Sequence, residues 1–211
     1  ALHHRQHLLR SVEDDLTPGQ VSDLLYALQD RAVAEFDVLA RAVYSRRFLR
    51  QASIPEYDRI DIAPGAILFQ VRNPSRQTRP LLIGFRGNAN RLLIPIPAIL
   101  MALPLNQFDL LTVSDASRAF YLEGSPQTAP GLPALRAFLD AFVQERQPAR
   151  LYTLGTSAGG VAALFFGQMI GARRAISVGG TFRWHIDRLL VRGRALFPAF
   201  TPLCDCRRPH V

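Results

Sequence analysis

Leu151-Tyr152-Thr153-Leu154-Gly155-Thr156-Ser157-Ala158-Gly159-Gly160 is the stretch that decides the fold. Its first four residues are apolar, aromatic or β-branched, as in a buried strand. Val161 to Ile170 reads as a helix. Between them Gly155-x-Ser157-x-Gly159 predicts a sharp strand-to-helix turn that lifts Ser157 above the strand end. Small residues on either side let the strand and helix cross without a clash. The first free N–H groups of the helix, that of Ala158 foremost, then point to where negative charge would develop on the oxygen of a carbonyl whose carbon Ser157 attacks. The plainer reading of the same residues is a tight turn carrying an ordinary serine.

Outward from this stretch, strands and helices alternate. Arg59 to Ala63 and Ala66 to Arg72 alternate apolar and polar around Pro64-Gly65, which predicts an antiparallel hairpin. Leu81 to Phe85 is a buried strand running into a glycine-bearing loop, Gly84 to Asn90. Leu92 to Leu105 is strongly apolar and helical in its middle, over Ala98 to Leu103. Phe108 to Val113 is the next strand, followed by the loop Asp115 to Arg118. A helix opens at Gly131-Leu132-Pro133 and runs to Glu145. After the elbow helix, which Gly171 closes, Arg174 to Val178 is one more strand. The order β, α, β, α, β, α, β predicts an α/β fold: a mainly parallel sheet with an initial antiparallel hairpin and helices on both faces. Ligands of such sheets bind beyond the carboxyl ends of the strands, where these three loops gather.

Ahead of the sheet, Thr17-Pro18-Gly19-Gln20 is a helix start. Thr17 is the N-cap, Pro18 the first helical residue and Gln20 the partner in a capping box. Val21, Leu24, Leu25, Leu28, Phe36 and Leu39 keep helical spacing behind it, so a long amphipathic helix is expected from Pro18 to Arg47. This divides the chain into an N-terminal helical segment, 1–52, and an α/β domain, 53–211. The helix is an extra layer on the domain or an oligomer contact.

The 211 residues are enough for one domain with a substantial core, and 48% hydrophobic with 20% charged residues is a folding composition. The net charge is +8, and all 25 basic residues are arginine. They are dispersed, with no aromatic-interleaved basic stripe, so nucleic acid is not an expected partner. No signal-peptide pattern opens the chain, and the apolar run is broken by Pro95, Pro97 and Pro104. A cytoplasmic protein without a membrane span is the expectation. Cys204 and Cys206 are too close in sequence for an unstrained disulfide and too few for a zinc site. His3 and His7 lack further ligands. No metal and no cofactor is expected.

The chain resembles the α/β-hydrolase superfamily over Arg59 to Gly180. Gly155 to Gly160 resembles its nucleophile elbow, Leu82-Ile83-Gly84-Phe85-Arg86-Gly87 its strand and oxyanion loop, and Phe108 to Asp115 the strand that ends in an aspartate in many members. The resemblance implies Ser157 as nucleophile, the amides of Ala158 and Phe85 as oxyanion hole, and a small acyl substrate, with Leu92 to Leu105 lining or covering the acyl pocket. It also implies an acid and then a histidine after later strands. Beyond Gly180 the residues of that kind are His185, Asp187, Asp205 and His210, and no clear strand remains. Asp187 and His210 stand in the family's order as acid and base. Two expectations stay open: a serine hydrolase or acyltransferase, truncated here after the fourth βα unit, or a non-catalytic domain of the same fold that binds a partner. A patatin-like Ser-Asp dyad shares the Gly-x-Ser-x-Gly spacing but lacks the later Asp-Gly.

Overall fold

The structure is a computed structural model that describes residues 15–28, 56–72, 79–92, 94–102, 108–180 and 191. Among them the order is α1 (Pro18–Leu28), β1 (Tyr57–Ala63), β2 (Ala66–Val71), β3 (Leu81–Phe85), α2 (Ile96–Ala102), β4 (Asp109–Val113), β5 (Gly124–Ser125), β6 (Ala129–Pro130), α3 (Leu132–Arg146), β7 (Leu151–Thr156), α4 (Ala158–Met169) and β8 (Arg174–Val178). Six strands form one mixed sheet in the order β1-β2-β4-β3-β7-β8. The β1–β2 hairpin is antiparallel, β2 is also antiparallel to β4, and β4, β3, β7 and β8 are mutually parallel neighbours. The short β5–β6 ladder stands apart.

The two-residue period of the strands sends alternate side chains into two cores. Ile83, Phe85, Leu111 and Val113 face α3 and α4, meeting Leu135, Leu139, Ala162 and Phe166. Leu82 and Leu110 face the other way, with Phe69, against Ile96 and Leu100 of α2. Helices thus cover both faces. The apolar stretch from Leu92 is core material: Leu92, Ile96 and Leu100 are fully buried under the sheet. Gly84 makes room for this, since a Cβ there would collide with Leu92.

The capping box forms as expected. The Thr17 amide donates to Gln20 Oε1 at 2.8 Å, and the Gln20 amide donates to Thr17 Oγ1 at 3.2 Å. α1 packs on α2 with Val21 buried. Leu24 is exposed, and the side chains of Leu25 and Leu28 lie outside those described. The expected continuation to Arg47, Phe36 included, lies outside the described residues.

β3 is the pivot of the topology. From β3 the chain crosses through α2 to β4 on one side. From β7, on the other side of β3, it crosses through α4 to β8 on the opposite face. The crevice beyond the carboxyl ends of β3 and β7 is therefore the topological switch point, where doubly wound sheets bind ligands.

The opposite end of the sheet holds a buried polar cluster. Asp109 Oδ1 accepts from the Val71 amide at 3.0 Å and lies 3.9 Å from Arg79 Nη1. Burial raises the Asp109 carboxyl, against the Val71 hydrogen bond and the Arg79 and Arg146 charges. Burial, then the Asp109 charge, pushes the Tyr57 phenol up to about 12. Its hydroxyl meets no hydrogen-bond partner among the described residues. The unfolded chain gives up this proton near pH 10, whereas the native state holds it to about 12. The unfolded state then binds fewer protons, so stability falls as pH rises through that window. Tyr57→Phe should leave stability at neutral pH unchanged or higher, because it removes a buried unpaired hydroxyl, and should flatten the alkaline decline. Urea midpoints followed across that pH range check this; an equally steep decline in the variant contradicts it.

Candidate active site

Ser157 stands between β7 and α4 with φ 50° and ψ −122°. A serine there departs from the favoured regions, at a cost of roughly 1–3 kcal/mol. The surrounding backbone over-determines the turn. The Ser157 amide donates to the Val178 carbonyl of β8 at 3.0 Å, and the Ser157 carbonyl accepts from the Gly160 amide at 3.0 Å. Thr156, Ala158, Gly159 and Gly160 are buried, while Ser157 is exposed. The turn thus presents one hydroxyl to the outside, and that hydroxyl makes no capping bond to its own helix.

The glycines have distinct steric reasons. A Cβ on Gly155 would run into the Gly159 carbonyl. One on Gly159 would run into the Phe85 carbonyl, and one on Gly160 into the Ser177 hydroxyl. α4 therefore starts in direct backbone contact with the end of β3. Gly87 closes the arrangement from the loop after β3: a Cβ there would lie 2.8 Å from the Thr156 carbonyl oxygen and 3.3 Å from Ser157 Cβ.

The structure brings Ser157, Ala158 and Phe85 together at the switch point. Ala158 is the first residue of α4, where amides lack an intrahelical acceptor. Phe85 is the last residue of β3, paired with Val113 and Gly155. The next two amides are already used: that of Arg86 donates to the Val113 carbonyl and that of Gly87 to the Arg91 carbonyl, each at 2.9 Å. The expected acid and base, Asp187 and His210, lie outside the described residues, as do His185, Asp205 and every other histidine of the chain.

Two buried side chains tie together the chain around the ends of β3 and β4. Tyr121 is fully buried, with its hydroxyl 2.7 Å from the Val113 carbonyl oxygen and 2.9 Å from that of Arg86. Its ring meets Phe85 edge-on at 5.4 Å, and Phe85 stacks on Phe166 of α4 at 5.7 Å. Burial holds its phenol well above the ordinary tyrosine range. Arg86 is 3% exposed, and its guanidinium bonds Thr112 Oγ1 at 3.1 Å and Asp15 Oδ1 at 3.3 Å. Tyr121 belongs to no motif or periodic run, and Arg86, although inside the loop motif after β3, carries no local signal that its side chain is buried. Asp115, at the end of β4, turns back on its own loop: it accepts from the Ser117 amide at 3.1 Å and the Tyr121 amide at 2.8 Å.

Beside the elbow lies a cavity of about 760 Å³. Gly87 lines it, together with Arg59, Asp61, Arg86, Asp115 and Arg118. Leu92 to Leu105, expected as a pocket wall, contributes none of its described residues to this lining. Its residues Leu92, Ile96, Ile99 and Leu100 belong to the core on the α2 face of the sheet instead. Among the described residues no group of three histidine, cysteine or acidic side chains could hold a metal ion. None of their helices is long and apolar enough to cross a membrane.

The fold and the turn together define an α/β protein with a serine-bearing strand–helix elbow. No protein-family model and no curated protein matches the sequence. Among solved structures, many α/β serine hydrolases and esterases match over most of the chain. An inhibited esterase B from Lactobacillus rhamnosis is 16% identical, covering 72% of this chain and 54% of its own, with a TM-score of 0.39. A lidless α/β serine hydrolase from Xanthomonas campestris is 14% identical, covering 64% and 66%, with a TM-score of 0.41. Brefeldin A esterase, a bacterial homologue of human hormone-sensitive lipase, is 16% identical, covering 83% and 48%, also at 0.41. The chain spans about half to two-thirds of the length of these structures.

The glycine sterics predict a graded response. Gly159→Ala must move either the end of β3 or the start of α4, and should lose about 3 kcal/mol or the fold itself. Gly171, at φ 70° with nothing within 4 Å of a Cβ, carries only backbone strain. Gly171→Ala should lose about 1–2 kcal/mol. Urea unfolding of the two variants checks the order, and equal losses contradict it.

Proposed function

We propose that the protein is a serine hydrolase or acyltransferase of the esterase or thioesterase kind, with Ser157 as its nucleophile. The observation that carries this reading is the backbone of Ser157: a non-glycine residue held in a strained turn, exposed among buried neighbours, at the switch point of the sheet. A structural serine has no need of that strain.

In this reading Ser157 Oγ attacks the acyl carbonyl, and the alcohol or thiol leaves as the acyl-enzyme forms. Water, or an acceptor alcohol in the transferase variant, then takes the acyl group. The developing oxyanion lies at the start of α4, where the Ala158 amide and the helix dipole stabilise it. Phe85 is the second donor in this assignment. The Tyr121 hydroxyl fixes the Arg86 carbonyl and thereby the chain next to that donor. A serine hydroxyl needs a base, so the reading requires an imidazole from the segments outside the described residues. His210, with Asp187 as its acid, fills that role in the order the family resemblance implies.

A fluorophosphonate probe tests this. Ser157 should be labelled within minutes, Ser157→Ala should not be labelled, and His210→Ala should slow labelling by about a hundredfold or more. Labelling that survives Ser157→Ala refutes the nucleophile. Silence of the wild-type protein leaves the second expectation, a non-catalytic domain, in its place.

A further inference from the structure

The cavity beside the elbow says what kind of acyl group it accepts. Ile62, Ala63, Pro64, Ile67 and Ala116 are the apolar part of its lining, and the rest is largely polar or charged, whereas the apolar residues Leu92, Ile96 and Leu100 are buried under the sheet. The charged side chains that line the cavity are mostly engaged with one another. Arg59 bonds Asp61 at 2.8 Å, and Arg86 bonds Asp15 and Thr112. Both oxygens of Asp115 hold their own loop, through Ser117 and the Tyr121 amide.

Arg118 is different. It is exposed at the cavity, and its side chain makes no hydrogen bond or ion pair with any described residue. Its backbone sits at φ 54°, the left-handed region an arginine avoids. Phe120 and Tyr121 follow at φ 58° and 60°. The loop keeps this shape because Asp115 ties its start to the Tyr121 amide and the buried Tyr121 hydroxyl anchors its end. The scaffold thus fixes the backbone from which the guanidinium extends, and no described residue supplies it a counter-ion. Gly87 lines the cavity, and a Cβ on it would lie 3.3 Å from Ser157 Cβ, so the cavity that Arg118 lines adjoins the serine.

We propose that the cavity takes a small ester or thioester whose acyl part ends in an anionic group, a carboxylate first of all, with Arg118 as the residue that selects it. The proposal rests on the reading of Ser157 as the acyl-accepting residue. Its volume of about 760 Å³ is that of an ordinary small-molecule site. The carbonyl lies over Ser157 and the anion pairs with the guanidinium, which can bind it with two parallel hydrogen bonds.

Binding to the Ser157→Ala protein tests this without chemistry, using monomethyl glutarate as probe and methyl butyrate as its uncharged counterpart in ligand-observed NMR. Monomethyl glutarate should bind roughly tenfold more tightly than methyl butyrate, the worth of one charge-assisted contact. Arg118→Ala should erase that preference. Arg150→Ala, at the far end of β7, should not, which separates a site from the attraction of a chain with net charge +8. Equal affinity for the two probes, no binding of either, or a preference that survives Arg118→Ala overturns the proposal. Failure of the Ser157 reading shows separately, as absent fluorophosphonate labelling of the wild-type protein.

Discussion

No side chain fits between the first turn of α4 and the end of β3. The Cα of Gly159 rests against the Phe85 carbonyl, and that of Gly155 against the Gly159 carbonyl. This contact sets how close the helix comes to the strand, and with it the height of Ser157 above the sheet. Backbone-to-backbone packing tolerates no adjustment by rotamer change, so the turn is a rigid element. The strain at Ser157 is sustained by its amide bond to β8 and by the buried glycines beside it. Nearby, the Phe85–Phe166 stack and the Tyr121 hydroxyl tie α4, β3 and β4 into one unit. Aromatic pairs of this kind add about 0.5–1.5 kcal/mol beyond area burial.

The two ends of the sheet carry different electrostatics. At the elbow end the buried Arg86 is joined to Asp15, ahead of α1, and to Thr112 of β4. The N-terminal segment and the sheet are therefore linked through a charge that would cost several kcal/mol to leave unpaired. At the far end Asp109 and Tyr57 are raised by burial, and the arginines near them only partly offset it. The strained serine turn and Arg118, whose side chain bonds no described residue, lie at the opposite end.

The sheet was legible because its signals are local. Pro64-Gly65 marks the hairpin, alternation marks β1 and β2, and Thr17 with Gln20 marks the start of α1. The elbow was legible because glycine spacing reports backbone contact directly. What stayed hidden depends on distant pairing. The place of β4 between β2 and β3, the Tyr121 clamp and the Arg86–Asp15 bridge join residues tens of positions apart, and no periodicity encodes them. The apolar segment from Leu92 shows a related limit: composition gives its need for burial, but not whether a core or a ligand satisfies it. The acid and base expected at Asp187 and His210 belong to residues outside those described.

The central claim is that the strained turn makes Ser157 an acyl acceptor. The most direct measurement is acid quench of the protein within seconds of mixing with p-nitrophenyl acetate, followed by peptide mapping by mass spectrometry. The account predicts an acetyl group on the peptide that contains Ser157, at that serine and lost in Ser157→Ala. Acetyl groups found only on other side chains, or none on a protein whose turn is intact, would contradict it.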